Sequence, residues 1–225
     1  MLRHRSVCFA ALIGTTLLLR GADSRAGVIT FENRGAFEAA IWNDGTDTFN
    51  DLDLDTSPAS PLSRTAGTYT YTASVSGDFY VAGTADNRRW LSTNVHQREI
   101  TFHISPSGIN AIGGLFVLLN TDGEYLAGSM TLTLTAADTD PLDRTIIFEA
   151  GAGPAFMGFT STSSLTSLKV TPPIGSDSFA AANDLILAVP EPGSLAIMSV
   201  LGLSLGAGAL ARQRRKKTCP VGNGA

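Results

Sequence analysis

Three histidines, twenty carboxylates and a few large rings are the side chains from which chemistry could be built. His4 lies near the N-terminus, and only His96 and His103 fall in the middle of the chain. His103 alternates with Phe102 and Ile104, which predicts a strand with its imidazole on the solvent face. His96 stands beside Asn94 and Arg98, near an expected strand end. Two histidines with no partner at ligand spacing do not make a transition-metal site. Serine is abundant, but no G-x-S-x-G turn presents one as a nucleophile. Paired carboxylates of the glycosidase kind stay open, because pairs among so many acids are defined by geometry and not by spacing.

The acidic run Asp51-Leu52-Asp53-Leu54-Asp55 begins like an EF-hand loop, but Thr56 stands where the glycine should be and Leu62 where the bidentate glutamate should be. The simpler reading is a strand with Leu52 and Leu54 inward and three aspartates outward. The other is a surface calcium site shared with Asp47. Among the rings, Trp42, Trp90, Tyr69, Tyr71 and Tyr80 could stack on a sugar beside polar neighbours. Trp90 with Arg88, Arg89 and Asn94 is the leading ligand-binding candidate. The opposing reading puts both tryptophans in the core. No catalytic residue is assigned, and the chain is read as a non-enzyme.

The elements that must position these groups are mostly strands. Val28 to Glu32, Tyr69 to Thr72, Phe79 to Val81, Glu99 to Ile104 and Met130 to Thr135 alternate apolar or aromatic residues with threonine or charge. Ala111 to Leu119 and Leu185 to Val189 are continuously apolar, as expected nearer the middle of a sheet. Asn43-Asp44-Gly45, Ser76-Gly77-Asp78, Thr121-Asp122-Gly123 and Gly151-Ala152-Gly153-Pro154 read as turns. One helical pattern runs from Ala36 to Trp42, with Asn33 as its cap. The expected fold is all-β: ten to twelve short strands in a two-sheet antiparallel sandwich of jelly-roll type, closed at one end by one short helix.

Both ends of the chain read as export signals. Arg3, His4 and Arg5 precede an uncharged run from Val7 to Leu19, and Ser24-Arg25-Ala26 sets small residues before Gly27. This predicts a signal peptide over 1–26, cleaved between Ala26 and Gly27 by signal peptidase. At the other end, Ser194 to Ala211 is an uncharged apolar run of about 27 Å as a helix, long enough for one membrane crossing. Arg212, Arg214, Arg215, Lys216 and Lys217 follow and would stay cytoplasmic under the positive-inside bias, with 218–225 as a cytoplasmic tail. Ahead of the run, Pro190 and Pro192 flank Glu191 and predict an extended segment outside any central strand. The two cysteines, Cys8 and Cys219, both lie outside 27–188, so that domain has no disulfide. Removing the leader and the basic tail leaves seven basic and eighteen acidic residues, a net charge of −11. So acidic a domain does not neutralise a phosphate backbone, which excludes nucleic acid as a partner.

Pro190-Glu191-Pro192, the short span over 194–211 and the terminal basic cluster together resemble the PEP-CTERM sorting signal of Gram-negative bacteria, covering 189–217. The resemblance implies recognition by exosortase, a membrane-embedded cysteine transpeptidase. It further implies passage through the inner membrane and release to the cell surface or an exopolysaccharide matrix. The extra residues 218–225 depart from the pattern. The series Ile29 to Glu32, Trp90 to Asn94, Asn110 to Gly114 and Phe156 to Ser161, ending in Asn183-Asp184-Leu185, is similar to the β-sandwich ectodomain common in that family, whose plan is that of carbohydrate-binding modules. By that analogy Glu32 and Asp184 would hold a structural calcium, and exopolysaccharide would be the partner. The alternative is a secreted carbohydrate-active hydrolase.

Overall fold

Period-two patterning resolves into thirteen strands and one helix among the described residues, which in this computed structural model are 27–83, 88–105, 108–137 and 139–190. In chain order they are β1 (Val28–Phe31), α1 (Arg34–Glu38), β2 (Ile41–Asp47), β3 (Leu62–Ala66), β4 (Tyr69–Val75), β5 (Phe79–Gly83), β6 (Arg89–Thr93) and β7 (Ile100–Ile104). Then follow β8 (Ala111–Leu119), β9 (Gly128–Ala136), β10 (Leu142–Phe148), β11 (Ala155–Ser161), β12 (Leu165–Thr171) and β13 (Phe179–Pro190). The first sheet runs β1-β11-β8-β13-β6-β5, with β2 also paired to β13, and the second runs β10-β9-β12-β7-β4-β3. Every pairing is antiparallel. The leader, the span over 194–211 and the basic cluster lie outside the described residues, and no helix among the described residues is long and apolar enough to cross a membrane.

The two sheets share one core. In β9, Met130, Leu132, Leu134 and Ala136 point inward while the threonines between them point out, and β7 sends Ile100, Phe102 and Ile104 to the same core. From the first sheet come Leu91, Ile112, Phe116, Leu118 and Leu187. Each fully buried Leu, Ile or Phe contributes about 1.5–3 kcal/mol relative to exposure. The continuous apolarity of β8 and β13 has a different cause. Both faces of their sheet are covered. On the outer face, α1 lays Phe37 over Ala111, Ile186 and Ala188, while further along Trp90, Val117, Leu119 and Ala181 are capped by Tyr80 and Tyr125. Gly113 and Gly158, paired across β8 and β11, form the floor beneath Phe37: a Cβ on either would stand within 3 Å of that ring.

Several local expectations are corrected. The helix is shorter and earlier than Ala36 to Trp42. Asn33 caps it, its side chain accepting from the Ala36 N–H at 3.0 Å, but it ends at Glu38 because Ile41 pairs with Pro190 and opens β2. Phe37 and Ile41 do meet in one cluster, from two different elements. Asn43-Asp44-Gly45 is not a turn but a bulge within β2: the ladder passes from Trp42↔Val189 to Gly45↔Leu187, and Asn43 takes a left-handed φ of 50°. Asp51 to Asp55 forms no strand. It turns, with Asp55 at φ 57°, and the chain then runs antiparallel to β5 through Asp55 N–H to Val81 O, Val81 N–H to Thr56 O and Phe79 N–H to Pro58 O. That segment covers an otherwise open sheet edge. Pro190 is part of β13, paired with Ile41 on one side and beyond the end of β8 on the other, where its missing N–H costs the ladder nothing.

Where β13 changes partner, from β6 to β2, the chain inserts a second bulge at Asp184, φ 48°. It reverses the alternation, so that Ala180 and Ala182 point inward before it and Leu185 and Leu187 after it. The buried Asn183 fills the fork, donating from Nδ2 to the carbonyls of Arg89 and Thr48.

Candidate functional site: a polar groove on the first sheet

Tyr80 on β5 and Ser92 on β6 are register partners on the outer face of the first sheet, and both open into a groove of about 340 Å³. Its far side is Phe179 at the start of β13 and Leu119 at the end of β8. Its rim is the loop over 120–123 on one side and Asp55 on the other. The rim is held by short-range chemistry that the residue types dictate. Asn120 Oδ1 accepts from the Asp122 and Glu124 N–H groups at 2.9 and 2.8 Å, and Gly123 adopts φ 76°, where a Cβ would press on the Gly83 carbonyl at 2.8 Å. Opposite, the Tyr80 hydroxyl donates to Asp55 Oδ1 at 2.8 Å, which fixes the ring against the groove wall. That hydrogen bond to a carboxylate, ahead of burial, raises the phenol above its ordinary pKa, so Tyr80 stays protonated at neutral pH.

Two hydroxyls of the groove already donate inward: Ser92 Oγ to Ala180 O at 3.0 Å, Thr93 Oγ1 to Val95 O at 2.9 Å. What they offer a ligand is lone pairs. With the Asp55 and Asp122 carboxylates, and with no Arg, Lys or His among the described lining residues, the groove is an acceptor-rich, negatively charged surface beside an aromatic ring. Such a surface suits a neutral ligand rich in hydroxyl donors and repels phosphate and other anions.

The residues singled out from the sequence separate here. Asn94 lines the groove. Trp90 does not: it is fully buried, its ring edge-on to Tyr125 at 6.5 Å, so it cannot stack on a ligand, and its place is taken by Tyr80 one strand away. Arg89 donates to the carbonyls of Asn50 and Leu52 and anchors the chain leaving β2, and Arg88 is exposed ahead of β6. Glu32 is exposed after β1, while the Asp184 carboxylate is bound by Arg34 Nη1 at 2.7 Å. Among the described residues no three acidic, histidine or cysteine side chains gather as a metal site. His103 is exposed as expected, 2.8 Å from Ser74 Oγ, and His96 stands edge-on to Phe179 at 6.3 Å. Asn120 and Asp122 were legible only as turn residues. Their role in the groove comes from where the β8–β9 connection lands.

The acidic run also has a structural use. Asp47, at 4 % exposure, accepts from Arg64 Nε and Nη2 at 2.9 and 2.6 Å, from the Tyr71 hydroxyl at 2.6 Å and from the Phe49 N–H at 3.0 Å. Arg64 also grips Asp51 at 2.6 and 2.7 Å and lies over the Phe49 ring. Asp47 and Asp51, the acids of the suggested surface calcium site, are both bound by Arg64. These contacts tie β2 of the first sheet to β3 and β4 of the second. No protein-family model matches the sequence, and no curated protein shows significant similarity to it.

Proposed function

We propose that this chain is the precursor of an exported, exosortase-sorted protein of the cell surface or extracellular matrix. Its jelly-roll-type sandwich binds exopolysaccharide without turning it over. The observation that carries the sorting reading is the order Pro190-Glu191-Pro192, uncharged run, basic cluster, with Pro190 the last residue of β13. The folded domain is thereby separated from everything that processing would discard by a boundary only a few residues long. The ligand reading is supported by the groove, where the Tyr80 ring stands among acceptors that suit sugar hydroxyls. A second reading, a carbohydrate-active hydrolase, is favoured only by the presence of two carboxylates, Asp55 and Asp122, in one groove.

Purified 27–190 applied to a panel of neutral and acidic polysaccharides tests the ligand reading. Retention of a neutral polysaccharide is expected, weakened about two- to tenfold by Tyr80→Ala, since a stacked aromatic ring contributes about 0.5–1.5 kcal/mol. Equal retention by the variant would remove the groove from the account. Release of reducing ends that Asp122→Asn abolishes would establish the hydrolase instead.

A further inference from the structure

Trp42 is the most exposed aromatic ring among the large exposed apolar side chains, 63 % accessible, in a protein whose other tryptophan is fully buried. Its position in the fold is particular. Trp42 pairs with Val189 in the ladder between β2 and β13, so it stands at the end of the sandwich from which the chain departs at Pro190. The same end holds the start of the domain: Ile29 pairs with Thr160, Thr160 with Ala111, and Ala111 with Ala188, one row of residues across four strands. Gly27, hydrogen-bonded through its carbonyl to the Thr162 N–H at 2.7 Å, sits just outside that row. Both ends of the domain therefore leave it on one side.

We propose that in the unprocessed protein this end of the sandwich rests on the membrane, with the Trp42 indole in the headgroup layer. The inference rests on the reading of 194–211 as a membrane span. From Pro190 to Ser194 there are four Cα steps, at most about 14 Å when extended. Trp42 is one strand spacing, about 5 Å, from Val189. The headgroup layer on each side of a bilayer is on the order of 5–8 Å thick. The tether therefore lets Trp42 reach the lipid, and its exposed ring favours the orientation that puts this end of the sandwich at the surface. An exposed indole, apolar with one N–H donor, is the side chain that partitions best into that layer. Burial there also accounts for an apolar ring left open to water by the fold. Seating the domain in this way holds Pro190-Glu191-Pro192 at the membrane surface, where a membrane-embedded processing enzyme works, and release of the tail frees Trp42 from the lipid.

The full chain reconstituted into phosphatidylcholine vesicles carrying bromine on their acyl chains near the headgroups tests this. The chain should float with the vesicles, and its tryptophan emission should be quenched and shifted to the blue relative to purified 27–190. Trp42→Phe, a change at an exposed site, should abolish the quenching while flotation persists, because Trp90 is sealed in the core. Flotation with equal, negligible quenching in both proteins would overturn the inference and leave the span reading standing. Failure to float would overturn the span reading and the inference with it.

Discussion

Asp47 is the residue at which the two sheets are tied, and its partners make a titration prediction. Burial first, and then the Asp47 charge, push the Tyr71 phenol well above its ordinary value near 10. A folded pKa above the unfolded one means that the native state holds the proton longer, so the stability is fully present below pH 10 and is lost as pH rises beyond it. Tyr71→Phe should therefore flatten the fall in Tm between about pH 9 and 11. At neutral pH it should cost about 1.5–3 kcal/mol, the range for a hydrogen bond to a charged group. Thermal melts across that range decide, and an unchanged alkaline slope would contradict the assignment. Little of this cluster was legible in the sequence. Asp47 and Asp51 read as calcium ligands or a solvent face because their counter-ion, Arg64, lies on a strand that the sequence pattern does not reveal. Tyr80 and Asn94 could be named from residue type. Trp90 misled, because alternation along β6 does not show that the outer face of that strand is also covered.

At the scale of elements, strands with clean alternation were readable, and β8 agrees with the sequence expectation at both ends. The two that were missed outright at the edges of the second sheet, β3 and β10, share a reason. Each carries an arginine at an inward register position, Arg64 between Leu62 and Ala66 and Arg144 between Leu142 and Ile146, which erases the apolar period. An inward arginine on an edge strand also discourages a further strand from adding there, so the feature that hid them from the pattern protects the sheet edge. The helix-to-sheet contact is testable. A Cβ at Gly158 would lie 2.6 Å from Phe37 Cδ2, so Gly158→Ala should destabilise the domain by about 1–3 kcal/mol through overpacking. Combining it with Phe37→Leu should recover part of that loss in denaturant melts. Strictly additive losses would show that the glycine pair has another purpose.

For the whole molecule, the geometry adds a constraint that neither end of the sequence carries alone. The acidic sandwich begins and finishes on one side, which is the arrangement the proposed precursor needs if both flanking segments are to meet one membrane. The proposed sorting motif is read from the sequence by order and spacing. Its closeness to the fold is not, because two prolines argue against a strand and only the pairing of Pro190 with Ile41 shows that β13 runs up to Pro190. The measurement that bears most directly on the account is the intact mass of the mature protein recovered from its native host. The expected product is a chain that begins at Gly27, ends close to Pro190-Glu191-Pro192 and lacks 194–211. Recovery of a chain that still extends through Lys217 would contradict it.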